Sequence, residues 1–206
     1  TGELSPDKLS DSGRREISYL LRSYNLQLAS IFCPLRNGLD VALDQEQRIL
    51  HLKKVMDLGF DLGCTVLALH AGQIPQEKED KRIATYTESL SYLGAHGDRI
   101  GVSLALETGL ESGKVLLDFL SQIDSGALGA SLNPGSLTIN GFDPLQAVLD
   151  LGSRIKLVHA REFQSNGPGR AAREVPLGHG NFDWNSFMVY LDQSGYQGFL
   201  ISEKEE

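Results

Sequence analysis

The sequence predicts an α/β fold in which parallel strands alternate with helices, as in a (β/α) barrel. Six short apolar runs alternate with segments whose apolar residues recur at helical spacing. Four of the six runs end in a polar side chain that is able to bind a metal ion. In a parallel barrel all strands end at the same rim, so these side chains should converge. They lie 26, 26 and 44 residues apart and are Glu107, Asn133, His159 and Glu203.

The expected helices show an apolar stripe on one face and capping residues at their starts. Asp44 is expected to cap the second helix, with Gln47 completing a capping box. Asp143 precedes a helix that begins at Pro144, a position where the missing N–H has no partner to lose. We expect helices over 12–24, 45–58, 80–96, 112–123, 144–151 and 184–193.

The expected strands are mostly continuous apolar runs, which is typical of strands buried on both faces. Pro134 and Gly135 should turn the chain after the fourth strand, and residues 164–180 should form a long polar loop. The six predicted strands cover residues 26–33, 65–70, 102–107, 128–133, 155–159 and 199–202.

Six strands leave two architectures open. A closed eight-stranded barrel usually needs about 250 residues, so a chain of 206 residues fits a barrel that lacks its first two strands. The alternative is an open, doubly wound sheet, but the sequence contains neither a GxGxxG motif nor a P-loop. We expect a single domain over residues 1–206 that is incomplete at its N-terminus.

Composition narrows the classes of partner. The net charge is −8 and the chain has no long basic block, which argues against a nucleic-acid surface. No apolar stretch approaches the length of a membrane span and no signal peptide is visible, so we expect a cytoplasmic protein without a membrane partner. Cys33 and Cys64 form no CxxC pair and should be buried, reduced thiols. Because an incomplete barrel exposes strand edges, we also expect self-association into a homo-oligomer, strand exchange or residues upstream.

The strand-end residues suit a divalent-metal site. Glu107 follows an apolar run, where a carboxylate is costly to bury without a partner. Glu203 repeats the pattern, although it also begins a charged tail, and a lone strand histidine such as His159 is more often a hydrogen-bonded core residue. Together, one imidazole and two carboxylates suit Mn²⁺, Co²⁺, Mg²⁺ or Zn²⁺, and the set does not choose among them.

Three further residues are candidates for binding the substrate. His70 ends the second strand, and a packed, hydrogen-bonded role is an equal alternative for it. Arg161 and Glu162 follow His159 directly and should face the same rim. Arg161 suits a carboxylate or phosphate of the ligand, and a salt bridge within the protein is the alternative.

An ordered set of motifs resembles the sugar phosphate isomerase/epimerase family, the xylose isomerase-like TIM barrels that also include the endonuclease IV type. The resemblance runs through nearly the whole chain, and it implies that the six strands correspond to the third through eighth of a barrel. The motifs are ALETG at 105–109, NPG at 133–135, HARE at 159–162, VPLGHGNFDW at 175–184 and GYQGFLISE at 195–203.

The resemblance implies roles for the strand-end residues. In ketose 3-epimerase-like members of the family, Glu, Asp, His and Glu bind one divalent ion, and the two glutamates also move the proton. The matching residues here are Glu107, Asn133, His159 and Glu203. This chain differs from the family pattern at three of its positions: Asn133 stands for Asp, Arg161 for Lys and Glu162 for Asp.

The leading hypothesis is therefore a divalent-metal-dependent isomerase or epimerase of a small sugar or ketose-like substrate. The alternative is a degenerate barrel that binds a metabolite or partner without catalysis, which Asn133 and the missing strands favour. A phosphodiesterase of the endonuclease IV type is disfavoured, because its trinuclear zinc cluster is rich in histidine and this chain has five His in all.

Overall fold

The computed structural model describes residues 4–77, 80–164 and 172–203, and within these ranges helices and strands alternate. The strands are β1 (Ile31–Phe32), β2 (Val66–Leu69), β3 (Ser103–Glu107), β4 (Leu128–Leu132), β5 (Ile155–Ala160), β6 (Glu162–Gln164), β7 (Arg173–Val175) and β8 (Leu200–Ser202). The helices are α1 (Asp11–Ser23), α2 (Gln45–Asp61), α3 (Lys81–Ile100), α4 (Gly113–Leu120), α5 (Pro134–Ile139), α6 (Pro144–Leu151) and α7 (Trp184–Gln193).

Six of these strands form one sheet in the order β1-β2-β3-β4-β5-β8, and the pairs β1–β2, β4–β5 and β5–β8 are parallel. The strands follow one another in chain order with no reversal. A doubly wound sheet reverses its order at a switch point, so this connectivity is that of a (β/α) barrel. The predicted α/β class with a parallel six-stranded sheet is confirmed.

By its contacts the chain divides into two compact units, and the expectation of a single domain stays a prediction. The first unit comprises the described residues up to Ala105 together with Ile123–Leu128. In it α2 and α3 pack against each other, whereas α1 buries no residue and is tied to α2 by an ion pair between Arg14 and Asp61 at 2.6 Å. The fully buried side chains of this unit include Leu39, Leu52, Met56, Tyr86 and Leu90.

The second unit comprises Leu106–Gln122 and the described residues from Gly129 onward. Its helices α4 and α7 both pack against α6. The approach of α4 to α6 requires a glycine, because a Cβ at Gly113 would lie 2.7 Å from the Cα of Ala147. All candidate site residues except His70 belong to this second unit.

The structure differs from the sequence predictions in one shorter strand, two additional strands (β6 and β7) and one turn. The first strand covers Ile31–Phe32 instead of residues 26–33. The predicted turn at Pro134–Gly135 is the start of the short helix α5. In the predicted loop 164–180, Arg173–Val175 forms β7, which pairs antiparallel with β6 (residues 165–171 lie outside the described residues).

The predicted helix caps Asp44 and Asp143 differ in their hydrogen bonds. Asp143 accepts hydrogen bonds from the backbone N–H groups of Leu145 and Gln146, so the cap of α6 is confirmed. The prediction for Asp44 is wrong. Its side chain makes no capping hydrogen bond, and the residue has a left-handed backbone with φ of 56°.

Cys33 and Cys64 are buried free thiols, and burial raises the pKa of both. Within the described ranges, no helix has the length and apolar character needed to cross a membrane.

The two aspartates at helix starts give a matched test of capping. We expect Asp143→Ala to lower the free energy of unfolding by about 1 kcal/mol, because two backbone donors lose their acceptor. Asp44→Gly should be neutral or stabilising, because it loses no capping bond and glycine tolerates positive φ. Urea denaturation followed by circular dichroism measures both. An equal loss of stability in the two variants would contradict the assignment of the caps.

Candidate active site

The register of the second unit brings polar side chains together at its strand ends. Leu132 of β4 pairs with Val158 of β5, so Asn133 and His159 follow side by side. His159 pairs in turn with Ile201 of β8. The sequence prediction that strand-end residues would converge therefore has a direct cause in the parallel pairing.

Glu107 and Asn133 are joined by a hydrogen bond. The Nδ2 of Asn133 donates to the Oε1 of Glu107 at 2.9 Å. Asn133 is fully buried, and the Glu107 side chain is only 4% exposed. The backbone N–H of Asn133 donates to the hydroxyl of Thr108 at 2.9 Å, which fixes the start of α5 beside the end of β3.

His159 lies between two carboxylates. Its Nδ1 is 3.4 Å from the Oε2 of Glu107 and 3.7 Å from the Oε1 of Glu203. The same nitrogen is buried and has no hydrogen-bond partner among the described residues. A buried polar atom without a partner is costly, and its surroundings here are two potential anionic ligands.

The fit of this donor set to a divalent ion is partial. The unpartnered Nδ1 of His159 and the nearby carboxylates of Glu107 and Glu203 have the right chemistry for one. In the described parts of the chain, however, no three His, Cys, Asp or Glu side chains are already grouped to hold a metal. Glu203 is the exposed member of the set, with a side chain that is 45% exposed. The nitrogen of the Asn133 amide, which is the atom that faces Glu107, cannot coordinate.

Glu162 holds the segment before α7. Its carboxylate accepts hydrogen bonds from the backbone N–H groups of Gly178 and Phe182 and from the indole of Trp184. A Cβ at Gly180 would collide with the same carboxylate, so the chain packs tightly around it. Burial by itself raises the pKa of Glu162, but the hydrogen bonds, led by that of Trp184, outweigh burial and hold the pKa below its ordinary value.

Arg161 is held by an ion pair. Its Nε and one terminal nitrogen donate to the two carboxylate oxygens of Glu174 at 2.8 and 2.9 Å, and both side chains are largely buried. This bidentate pair closes the β6–β7 hairpin. Arg161 and Glu162 also line a cavity of about 410 Å³, together with Phe142, Phe163 and Phe182.

His70 belongs to the first unit, where it directly follows β2 and is exposed. Its ring stands edge-on to Phe32, with 5.4 Å between the ring centroids. The structure thus brings Glu107, Asn133, His159 and Glu203 together in one unit and shows Arg161 and Glu162 engaged with neighbouring segments. Binding of the substrate by His70, Arg161 and Glu162 stays a prediction.

Sequence reasoning missed four residues that shape this region. Thr108 and Ser136 hold Asn133, whereas Glu174 holds Arg161 and Trp184 contacts Glu162. One signal was available for Ser136, since an Asn directly before Pro-Gly is a common helix start. Glu174 and Trp184 bond to residues that are 13 and 22 positions away in the sequence, and no local sequence pattern indicates such contacts.

A family model described as xylose isomerase-like TIM barrel matches residues 2–206. A comparison with curated proteins gave no significant match. Solved structures of similar fold include a xylose isomerase domain protein from Planctomyces limnophilus, with 20% identity and a TM-score of 0.86. The match covers 97% of this chain and 77% of that one.

Two other solved structures of similar fold are of proteins described with a bound ligand or an enzymatic activity. One is a xylose isomerase-like TIM barrel protein from Mycobacterium smegmatis in complex with magnesium, with 18% identity, a TM-score of 0.76 and coverage of 95% of this chain and 72% of that one. The other is a D-psicose 3-epimerase crystallised in the presence of D-fructose, with 16% identity, a TM-score of 0.78 and coverage of 96% and 71%. At these identities the likeness concerns the fold.

The lowered pKa of Glu162 predicts an acid-sensitive contribution to stability. The carboxyl titrates near 4.5 in the unfolded chain and lower in the folded one. Its stabilisation is therefore complete above about pH 4.5 and is lost as the pH falls through the folded-state pKa. At pH 7 we expect Glu162→Gln to lose roughly 1.5–3 kcal/mol, because charge-assisted hydrogen bonds are broken. At pH 3 its difference from the wild type should shrink.

Unfolding in urea is followed by the fluorescence of Trp184, the only tryptophan in the chain. Glu16→Gln, an exposed change on α1, serves as the control for losing a carboxylate. A difference between Glu162→Gln and the wild type that is the same at pH 3 and pH 7 would refute the role of the ionised carboxylate.

Proposed function

Because the chain belongs to the xylose isomerase-like TIM barrel family, we propose that it is a divalent-metal-dependent isomerase or epimerase of a small sugar or ketose-like substrate. The observation that carries the proposal is the buried Nδ1 of His159, which has no hydrogen bond within the described ranges and lies beside the carboxylates of Glu107 and Glu203. The fold likeness to a D-psicose 3-epimerase supports the substrate class.

The proposed reaction explains why two carboxylates are needed. Epimerisation next to a carbonyl removes a proton from one face of a carbon and returns a proton to the opposite face. In this proposal Glu107 and Glu203 are the two catalytic groups, one for each face. Asn133 donates to the Oε1 of Glu107, and we assign the proton-accepting role to Oε2, which lies on the side of His159. Glu203 is about half exposed and exchanges its proton with solvent.

Glu107, His159 and Glu203 are the residues we propose to hold a divalent ion, with Mn²⁺, Co²⁺, Mg²⁺ and Zn²⁺ as candidates. When bound, such an ion polarises the substrate carbonyl and stabilises the negative charge that develops on it. We also propose a cytoplasmic location and self-association of the protein. The substrate contacts are proposed to come from His70, Arg161 and Glu162.

Solvent deuterium exchange tests the reaction without knowledge of the product. The protein is incubated in D₂O with D-fructose, D-psicose, D-tagatose or L-ribulose and each candidate ion, and deuterium at the carbons beside the carbonyl is measured by NMR. We expect exchange with at least one ketose. Glu107→Gln and Glu203→Gln should each lower the rate roughly 10²- to 10⁴-fold, because each removes one acid/base group.

The control is again Glu16→Gln, which should keep the wild-type exchange rate. Full exchange by Glu107→Gln would refute the assignment of the base. The second candidate function is a barrel that binds a metabolite without catalysis, and the hydrogen bond that satisfies Glu107 without an ion favours it. Absence of exchange with every ketose and ion would support this second function.

A further inference from the structure

The orientation of the Asn133 side chain is fixed by its two partners. The Oδ1 accepts from the backbone N–H of Ser136 at 2.9 Å and caps α5. The Nδ2 donates to the Oε1 of Glu107 at 2.9 Å. Rotating the amide by 180° would set N–H against N–H and oxygen against carboxylate, so only one orientation satisfies both neighbours.

An aspartate at the same position would behave differently. One of its oxygens would still cap α5 by accepting from Ser136, but the other would face the Oε1 of Glu107 at hydrogen-bond distance. Two buried carboxylates this close need a proton or a cation between them. The amide of Asn133 instead donates a hydrogen bond to Glu107, so this carboxylate has a partner without an ion.

We propose that Asn133 makes this a low-affinity divalent-ion site from which the ion exchanges readily. The amide N–H of Asn133 occupies the position beside Glu107 that an ion would otherwise take. An entering ion gains no ligand from Asn133 and finds one oxygen of Glu107 already bound. The lack of a ready group of three His, Cys, Asp or Glu side chains within the described ranges agrees with this. The inference rests on the site of the proposed function but not on turnover.

The test is to convert the amide into a carboxylate. Titration calorimetry with MnCl₂ should show roughly 10- to 100-fold tighter binding to Asn133→Asp than to the wild type. Without metal the variant should melt at a lower temperature than the wild type, and Mn²⁺ should raise its melting temperature more than that of the wild type. Asn140→Asp adds the same charge at the exposed end of the same helix and should leave Mn²⁺ affinity unchanged.

A double variant separates the hydrogen bond from the charge. In Asn133→Asp with Glu107→Gln, the donor and the acceptor exchange places, so the pair needs no ion. We expect its metal-free melting temperature to return toward the wild-type value and its added response to Mn²⁺ to disappear. If Asn133→Asp folds only with Mn²⁺, the inference is supported. If neither variant folds under any condition, it is overturned.

Two other results would overturn the inference: Mn²⁺ binding to the wild type that is as tight as to Asn133→Asp, or an Mn²⁺ response that persists in the double variant. These outcomes are independent of the proposed function. If no ketose exchanges deuterium but Mn²⁺ binds the variants as expected, only the proposed reaction is refuted. If a ketose exchanges but Mn²⁺ binding does not follow the expected order, only the role of Asn133 is refuted.

Discussion

Adjacent parallel strands end side by side, so the polar side chains at their ends lie together where they are largely shielded from solvent. The candidate site depends on this combination of parallel pairing and burial. Glu107, Asn133 and His159 are all largely buried there. Each must therefore find its partner among the others or in the backbone nearby. Glu107 accepts a hydrogen bond from the Asn133 amide, and Asn133 accepts one from the backbone N–H of Ser136. The Nδ1 of His159 makes no hydrogen bond within the described ranges. The chemistry proposed for the site uses this nitrogen of His159.

The two residues that follow β5 hold the surrounding structure. Arg161 closes the β6–β7 hairpin through Glu174, and Glu162 gathers the backbone that leads into α7. Gly135 links this region to α5, because a Cβ there would lie 2.6 Å from the ring of Phe163. Within the second unit, a strand end, a hairpin and two helix starts thus contact a stretch of five residues, 159–163.

The strand ends were predictable because one local signal and one rule of topology sufficed. An apolar run followed by Glu107 or His159 marks a strand end, and parallel pairing does the rest. The helix α5 was missed because Pro134–Gly135 was interpreted as a turn, although an Asn directly before Pro is a local signal for a helix start. The β6–β7 hairpin was missed because Arg161 and Glu174 meet only after the chain turns back. The left-handed backbone of Asp44 overrides a capping pattern that is otherwise typical.

The ion pair of Arg161 also bears on which sugars the site would accept. A phosphorylated sugar seeking this guanidinium has to displace Glu174, and it forfeits two charge-assisted hydrogen bonds in doing so. An uncharged sugar incurs no such loss. With Glu107, Glu203 and Glu174 all in the second unit, an anionic ligand meets further repulsion there. Under the proposed function, this ion pair would therefore favour neutral sugars over their phosphates.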